Sequence, residues 1–230
     1  MRPEQHWRRR FGNRNDDAEE KMISTKDLSA MPGINELKRL CQALAILDAI
    51  IERNWSSRYY SFNSRWSTDE QLASMRNGEG DEWFCVFSKH GAFLKGLYHE
   101  SDMARGWPGL LDSVPEVFKS ALAEPAFSMQ YTSFCIWRTY EDDRWRTGLI
   151  SYPPGADPDG SAWMLAILDG NPITYQRWAE DYYERPVNLS AVEDLYAHKP
   201  LTNELVRSLN PETNFSDLGE DVGEISYSTA

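Results

Sequence analysis

Residues 81–98 carry the hydrophobic pattern of a β-hairpin. Residues 81–88 form an aromatic and β-branched run, and residues 92–98 form a second apolar run. A short polar and glycine turn, Lys89-His90-Gly91, separates them, as in two antiparallel strands. Successive side chains on a strand alternate between its faces, and both faces of the first run are apolar. We therefore predict that this hairpin lies centrally in a sheet and is covered on both sides.

A helix is predicted before this hairpin. Apolar residues from 34 to 53 recur at the i, i+3, i+4, i+7 spacing of a long amphipathic helix, which begins after Pro32-Gly33. An aromatic passage over residues 54–63 then leads into a first strand. The sequence Thr68-Asp69-Glu70-Gln71 fits a capping box, which predicts a short helix ending at Asn77-Gly78.

A second hairpin and several helices follow. Residues 133–140 alternate as a strand, residues 141–143 form an acidic turn, and residues 144–152 return as its partner. Helices are predicted over residues 114–123 and 163–168. A third helix is predicted to begin after Asn171-Pro172, a fourth at a capping box that starts at Ser190, and a fifth is predicted from Thr202 to Leu209. Ile225 and Tyr227 predict an added edge strand. The fold class is therefore α+β, with an antiparallel sheet built from hairpins, one long N-terminal helix and a helical C-terminal third.

The domain organisation follows from where apolar residues begin. Residues 1–21 carry arginines and acidic residues with little that can be buried, which predicts a disordered N-terminal tail or an extension upstream of a start at Met22. Residues 22–230 then form a single α+β domain. No apolar run reaches the roughly 20 residues of a membrane helix. The best run, residues 40–51, is interrupted by Gln42 and Asp48.

Charge and cysteine content narrow the function classes. A formal net charge of −12 argues against sequence-independent binding to nucleic acid and against anionic membranes. It suits a basic protein as partner, although a charge that serves solubility alone explains it as well. Cys41, Cys85 and Cys135 lie in apolar patterns with no paired spacing, so we expect buried free thiols in a reducing compartment. The predicted location is cytoplasmic. The sequence does not indicate an oligomeric state.

One polar cluster follows the central hairpin and is the candidate catalytic site. It comprises His99, Glu100, Ser101 and Asp102. If strand alternation continues, His99 and Ser101 share one face, and the two acids share the other. A histidine beside Glu100 or Asp102 can act as a general base, or it can simply fill a polar pocket at the sheet edge. The sequence contains no nucleotide-binding, kinase, metalloprotease or serine hydrolase motif, and we predict no metal and no cofactor.

Candidate binding residues lie on a later helix and in a loop. The tyrosine pairs Tyr59-Tyr60 and Tyr182-Tyr183 should each turn one ring inward and leave one for the surface. Acidic residues beside the second pair make an acidic and aromatic helix face suited to a basic protein, although a solvated surface explains it as well. Trp107, in a loop rich in glycine and proline, can be an exposed anchor or a lid over the core. The predicted binding residues are Trp107, Glu180, Asp181, Tyr183 and Glu184.

Several short stretches resemble a known family. They are Gly80-Asp81-Glu82-Trp83-Phe84, Gly91-Ala92-Phe93-Leu94-Lys95-Gly96, His99-Glu100-Ser101, Trp107-Pro108-Gly109, Pro125-Ala126-Phe127, Phe134-Cys135-Ile136-Trp137 and Tyr196-Ala197-His198. Together they resemble a family of uncharacterised bacterial proteins with no assigned activity, which implies a bacterial, cytoplasmic, single-domain protein. The helix-first plan and acidic charge are also loosely similar to the Smi1/Knr4-like immunity proteins that neutralise bacterial toxins. That second resemblance is architectural, and a shared architecture does not establish a shared function.

Two functional hypotheses follow from these patterns, and they belong to different classes. The first is a non-enzymatic acidic binding module, of the immunity or antitoxin kind, that sequesters a basic partner. The alternative is a hydrolase-like enzyme for small molecules that uses His99 with Glu100 or Asp102. A structural or oligomerisation unit is a third interpretation. The first two differ in what they require of His99, because only the enzyme needs a water-accessible pocket around it.

Overall fold

Six strands form one antiparallel sheet in which each strand pairs with its neighbour in sequence. This order is a meander, as successive hairpins produce. The computed structural model describes residues 22–230, so the predicted tail of residues 1–21 lies outside the described part of the chain. The strands are β1 Tyr60–Asn63, β2 Glu70–Arg76, β3 Glu82–Ser88, β4 Gly91–Leu97, β5 Phe134–Thr139 and β6 Arg146–Thr147.

Helices precede and follow the sheet in the chain, and their order confirms the predicted α+β class. The first, α1, is Ile34–Ile51 and precedes β1. The others are α2 Lys119–Ala123, α3 Ser161–Met164, α4 Pro172–Tyr182, α5 Leu189–Tyr196, α6 Asn203–Leu209 and α7 Gly219–Ile225. Short 3-10 turns occur at Trp55–Ser57, Glu116–Phe118, Pro125–Phe127, Ala166–Asp169 and Phe215–Leu218.

The hairpin of β3 and β4 occupies the centre of the sheet, as predicted. On one face, Trp83, Cys85 and Phe87 join the larger core, which the sheet shares with α1 and the C-terminal helices. On the other face, Val86 joins a smaller core closed by residues 118–127, and Phe84 packs against it. The sheet is therefore covered on both sides, which explains why apolar residues occupy both faces of β3.

The helix α1 is buried on almost all sides because it lies between the sheet and the C-terminal helices. The last carbonyls of a helix have no partner within it. Here Asn210 and Thr213 donate to the carbonyl of Ile50, and Asn210 and Arg185 donate to the carbonyl of Ile51. The C-terminal third of the chain therefore caps the helix on which the larger core is built.

The prediction of a short helix from residue 68 is wrong, because this segment forms strand β2. It pairs with β1 on one side and with β3 on the other along its length. Leu72 faces the smaller core, and Ala73 and Met75 face the larger one. The carboxylate of Glu70 accepts hydrogen bonds from the hydroxyls of Ser67 and Ser120.

Three smaller predictions also need correction. The return strand of the second hairpin is confined to Arg146–Thr147, because the backbone at Gly109 crosses directly over Gly148. Ile225 and Tyr227 do not form an edge strand, since Ile225 ends α7 and the hydroxyl of Tyr227 donates to a backbone carbonyl in the core. The cap of α5 is Asn188, two residues before the predicted Ser190.

The three cysteines are buried and free, as predicted. Burial raises the pKa of each thiol well above its ordinary value. A thiol is nucleophilic as its thiolate, so these residues act as small apolar side chains in the core. None of the helices found between residues 22 and 230 combines the length and the apolar character needed to cross a membrane.

Candidate functional site

The carboxylate of Asp48 lies fully buried inside the larger core. Its Oδ2 accepts hydrogen bonds from the backbone amides of Tyr59 at 3.0 Å and Tyr60 at 2.9 Å. Its Oδ1 accepts one from the hydroxyl of Tyr175 at 2.7 Å. The residue therefore joins α1, the start of β1 and α4 at one point.

The environment of Asp48 disfavours its charge. Burial raises the pKa of this carboxyl to about 6, and the donor groups of Tyr60, Tyr175, Tyr183 and Tyr59 around it oppose that rise. Desolvation penalises a charged group, whereas donors aimed at a carboxylate favour it. The hydroxyl of Tyr183 is buried and faces the same carboxyl, but its geometry there falls short of a normal hydrogen bond.

The structure brings the two tyrosine pairs of the sequence together in one aromatic cluster. The ring of Tyr59 packs edge-on against Tyr182, with centroids 4.6 Å apart, and against Trp178 at 5.0 Å. Tyr182 in turn contacts Tyr183 edge-on at 4.8 Å. Both members of the first pair are buried, so the prediction that one ring faces the surface is wrong there. The reason is that α4 covers the start of β1, and the exposed ring is Tyr182.

Negative charges act on the exposed Tyr182. Burial, followed by the negative charges of Asp48, Glu52 and Glu79, raises the pKa of its hydroxyl. Within residues 22–230, neither Glu52 nor Glu79 forms an ion pair. The hydroxyl donates to the carbonyl of Ser57, which places the exposed Trp55 turn beside it. We call this surface the acidic–aromatic end; it comprises Glu52, Trp55, Glu79, Asp181, Tyr182 and Glu184.

The predicted catalytic cluster lies at the same end of the strands as the acidic–aromatic end. Strands β2 and β4 end there, and strands β1 and β3 begin there. His99 is exposed, but its partner is Asp81 and not the predicted Glu100 or Asp102. Nδ1 of His99 lies 2.6 Å from Oδ1 of Asp81, and the backbone amide of His99 donates to the same oxygen at 2.9 Å. The amide of Asn77 donates to Oδ2. A buried carboxylate therefore fixes the orientation of an exposed imidazole.

The remaining cluster residues have local partners. Strand β4 ends at Leu97, so the expected strand alternation does not reach His99. The hydroxyl of Ser101 donates to the carbonyl of Pro158 at 2.7 Å and accepts from the amide of Met103. The carboxylate of Glu100 accepts from the hydroxyl of Tyr98, and Asp102 is exposed in the following turn. Ser101 thus holds a loop and is not poised as a nucleophile for His99.

Two predicted binding residues serve structural contacts in addition to any role at the surface. The indole of Trp107 is half-buried, and its N–H donates to the carbonyl of Ser151 at 3.0 Å. The loop that carries Trp107 is joined by no hydrogen bond to α4 in the described part of the chain. The carboxylate of Glu180 accepts from the amide of Val187 and so fixes the connection to α5. Asp181 and Tyr183 are half-buried and Glu184 is exposed, at the C-terminal end of α4.

Sequence patterns missed three buried ionisable residues besides Asp48. Two are Asp81 and Asp159. The third is Lys95, fully buried on the smaller-core face of β4, whose Nζ lies 3.0 Å from Oε1 of Glu82. Burial lowers the pKa of Lys95, and the adjacent carboxylate opposes that change. The sequence signal that could have revealed this pair is a lysine within an apolar strand. A buried ammonium group requires a carboxylate partner, so such a lysine predicts one nearby.

Comparison with protein-family models, with curated proteins and with solved structures found no match to this chain. In the described part of the chain, no group of three histidine, cysteine, aspartate or glutamate side chains is arranged to hold a metal ion. What the surface can do chemically therefore has to be derived from its own residues. Its two distinctive features are the acidic–aromatic end and the Asp81–His99 pair.

Proposed function

We propose that this chain is a non-enzymatic binding module that sequesters a basic protein at its acidic–aromatic end, in the manner of an immunity or antitoxin protein. The observation that carries the proposal is the exposed Tyr182, whose hydroxyl is subject to the negative charges of Glu52 and Glu79, two carboxylates that form no ion pair among residues 22–230. Exposed aromatic rings are frequent anchors of protein interfaces. The net charge of −12 adds long-range attraction for a basic partner, which accelerates association.

Charge reversal at the end of α4 tests this proposal. In Asp181→Lys/Glu184→Lys, we expect association with the basic partner to slow by about tenfold at low salt, and the difference to shrink at high salt. The partner is first captured from a lysate of the source organism at low salt and identified by mass spectrometry. Its association rate is then measured by surface plasmon resonance at two salt concentrations.

The matched control reverses two exposed acids elsewhere. Asp69 lies at the opposite end of β2 from the Glu79 turn, and Glu116 lies in the segment that closes the smaller core. Asp69→Lys/Glu116→Lys changes the net charge by the same amount, so it reports the effect of overall charge alone. Equal slowing in both double variants would show that the acidic–aromatic end is not the binding surface.

The Asp81–His99 pair favours a second candidate function, a hydrolase-like activity on a small molecule. An imidazole oriented by a buried carboxylate is suited to general base catalysis. In a screen of ester, amide and phosphate substrates, any hydrolysis that depends on this pair should fall at least about 100-fold in His99→Gln and persist in Asp102→Asn. The cavity of about 270 Å³ between the start of α1 and the β5–β6 turn is not lined by His99. Activity that survives His99→Gln would reject this candidate.

A further inference from the structure

We propose that the exposed part of Tyr182 is a subsite for an arginine side chain of the partner. This inference rests on the proposed function, since it names the chemistry that the acidic–aromatic end recognises. A guanidinium over an aromatic face is attracted by the negative potential of the ring, and flanking carboxylates add charge pairing. Three observations support this occupant: the ring is rigidly held, its surroundings are acidic, and the neighbouring arginines are already engaged.

The ring of Tyr182 is packed among three aromatic side chains and still reaches solvent. It stacks on Trp178, with centroids 5.5 Å apart and planes 10° from parallel. It makes T-shaped contacts with Tyr59 and Tyr183, and its hydroxyl donates to the carbonyl of Ser57. The residue nevertheless remains 38% exposed. A platform fixed in this way loses little conformational freedom when a side chain stacks on it.

The charges near Tyr182 favour a cation. Glu52 and Glu79 both act on the Tyr182 hydroxyl, and one oxygen of Glu52 accepts from the backbone amide of Asn54. The carboxylate of Glu79 has no hydrogen-bond partner among residues 22–230. A cation stacked on Tyr182 would thus experience the charge of two carboxylates that form no ion pair in the described part of the chain.

Arginines near this surface already have partners. Arg58 pairs with Asp221, and Arg185 donates to the carbonyl of Ile51. Arg76 lies over the ring of Trp55, with its guanidinium carbon 4.3 Å from the centroid. The same end of the molecule therefore already stacks an arginine on an aromatic ring, and Tyr182 offers an equivalent ring with no arginine of the described chain over it.

The subsite is tested with N-acetyl-arginine amide titrated into the isotope-labelled full chain and followed by NMR. We expect shifts centred on Tyr182 and Glu79, weaker binding by about tenfold in Tyr182→Leu, and binding within about twofold of wild type in Tyr182→Phe. N-acetyl-citrulline amide, which has the same shape without the charge, should not bind. The amide spectrum of each variant reports whether its fold is intact.

The outcomes separate this inference from the proposed function. Equal binding of the citrulline probe, or unchanged arginine binding in Tyr182→Leu, would overturn the subsite. Capture of a basic protein that depends on Asp181 and Glu184 would still support the wider proposal in that case. Conversely, arginine binding at Tyr182 without capture of any basic protein would keep the subsite and reject sequestration.

Discussion

Replacing Asp48 by alanine is expected to lower the free energy of unfolding by about 3–5 kcal/mol. The substitution removes the acceptor of two backbone amides, those of Tyr59 and Tyr60, and of the Tyr175 hydroxyl. Each buried donor left without a partner lowers the free energy of unfolding by about 1–3 kcal/mol. Part of this loss is offset because the variant no longer buries the Asp48 carboxylate. Urea unfolding followed by circular dichroism measures the loss. The exposed Asp69→Ala should change stability by less than about 0.5 kcal/mol.

The variant Asp48→Asn separates the charge of this residue from its hydrogen bonds. The pKa of Asp48 is about 6 in the folded chain and 3.8 when unperturbed. The folded chain therefore holds this proton more tightly, so the contribution of Asp48 to stability falls as the pH rises between these values. Asparagine lacks that titration. Its stability deficit relative to wild type should be about 2 kcal/mol larger at pH 4.5 than at pH 7. A deficit independent of pH would show that the carboxyl does not titrate in this window.

Asp48 also links the core to the acidic–aromatic end. It fixes the amide of Tyr59, whose ring contacts Tyr182, and it fixes Tyr175, which is on the same helix as Tyr182. The exposed ring is thus supported by a buried hydrogen-bond network and not by loop packing. Sites supported in this way keep their geometry, which matters more for recognition than the number of contacts.

Periodicity predicted the long helix and both central strands because their apolar residues face packed cores. The alternation of Phe134 and Ile136 against Cys135 and Trp137 likewise matches the two cores of the structure. Strand β2 was misassigned because Thr68 and Gln71 fit a capping box, and because Ala73 and Ser74 carry little strand signal. Pairing with strands on both sides outweighs such local preferences.

The candidate site was only partly predictable for a different reason. The acidic and aromatic residues of α4 could be identified from their spacing, but the sequence does not show that Tyr59 packs against them. His99 was identified as a candidate, whereas its partner Asp81 lies eighteen residues away on another strand end. Asp48 looked like an interruption of an apolar run. In each case the missing information is a contact between residues distant in sequence, which local patterns do not encode.

Gly96→Ala is expected to destabilise the fold by about 3 kcal/mol through overpacking at the centre of the sheet. Gly96 on β4 lies opposite Phe134 on β5, and the Phe134 ring lies over the glycine. A Cβ at residue 96 would stand 2.0 Å from the ring Cζ, and Phe134 is fully buried. The ring must therefore leave its position or the strands must separate.

A second substitution tests whether this ring is the cause. If it is, Gly96→Ala combined with Phe134→Leu should lose at least about 1 kcal/mol less than the sum of the two single variants, because the smaller side chain makes room for the new methyl group. Urea unfolding of all four proteins gives this coupling. Gly219→Ala is the matched control, since a Cβ there meets no atom within 4 Å and residue 219 is helical, so its stability should be unchanged or slightly higher. Additive losses at 96 and 134 would show that the strain at Gly96 arises from the backbone and not from the Phe134 ring.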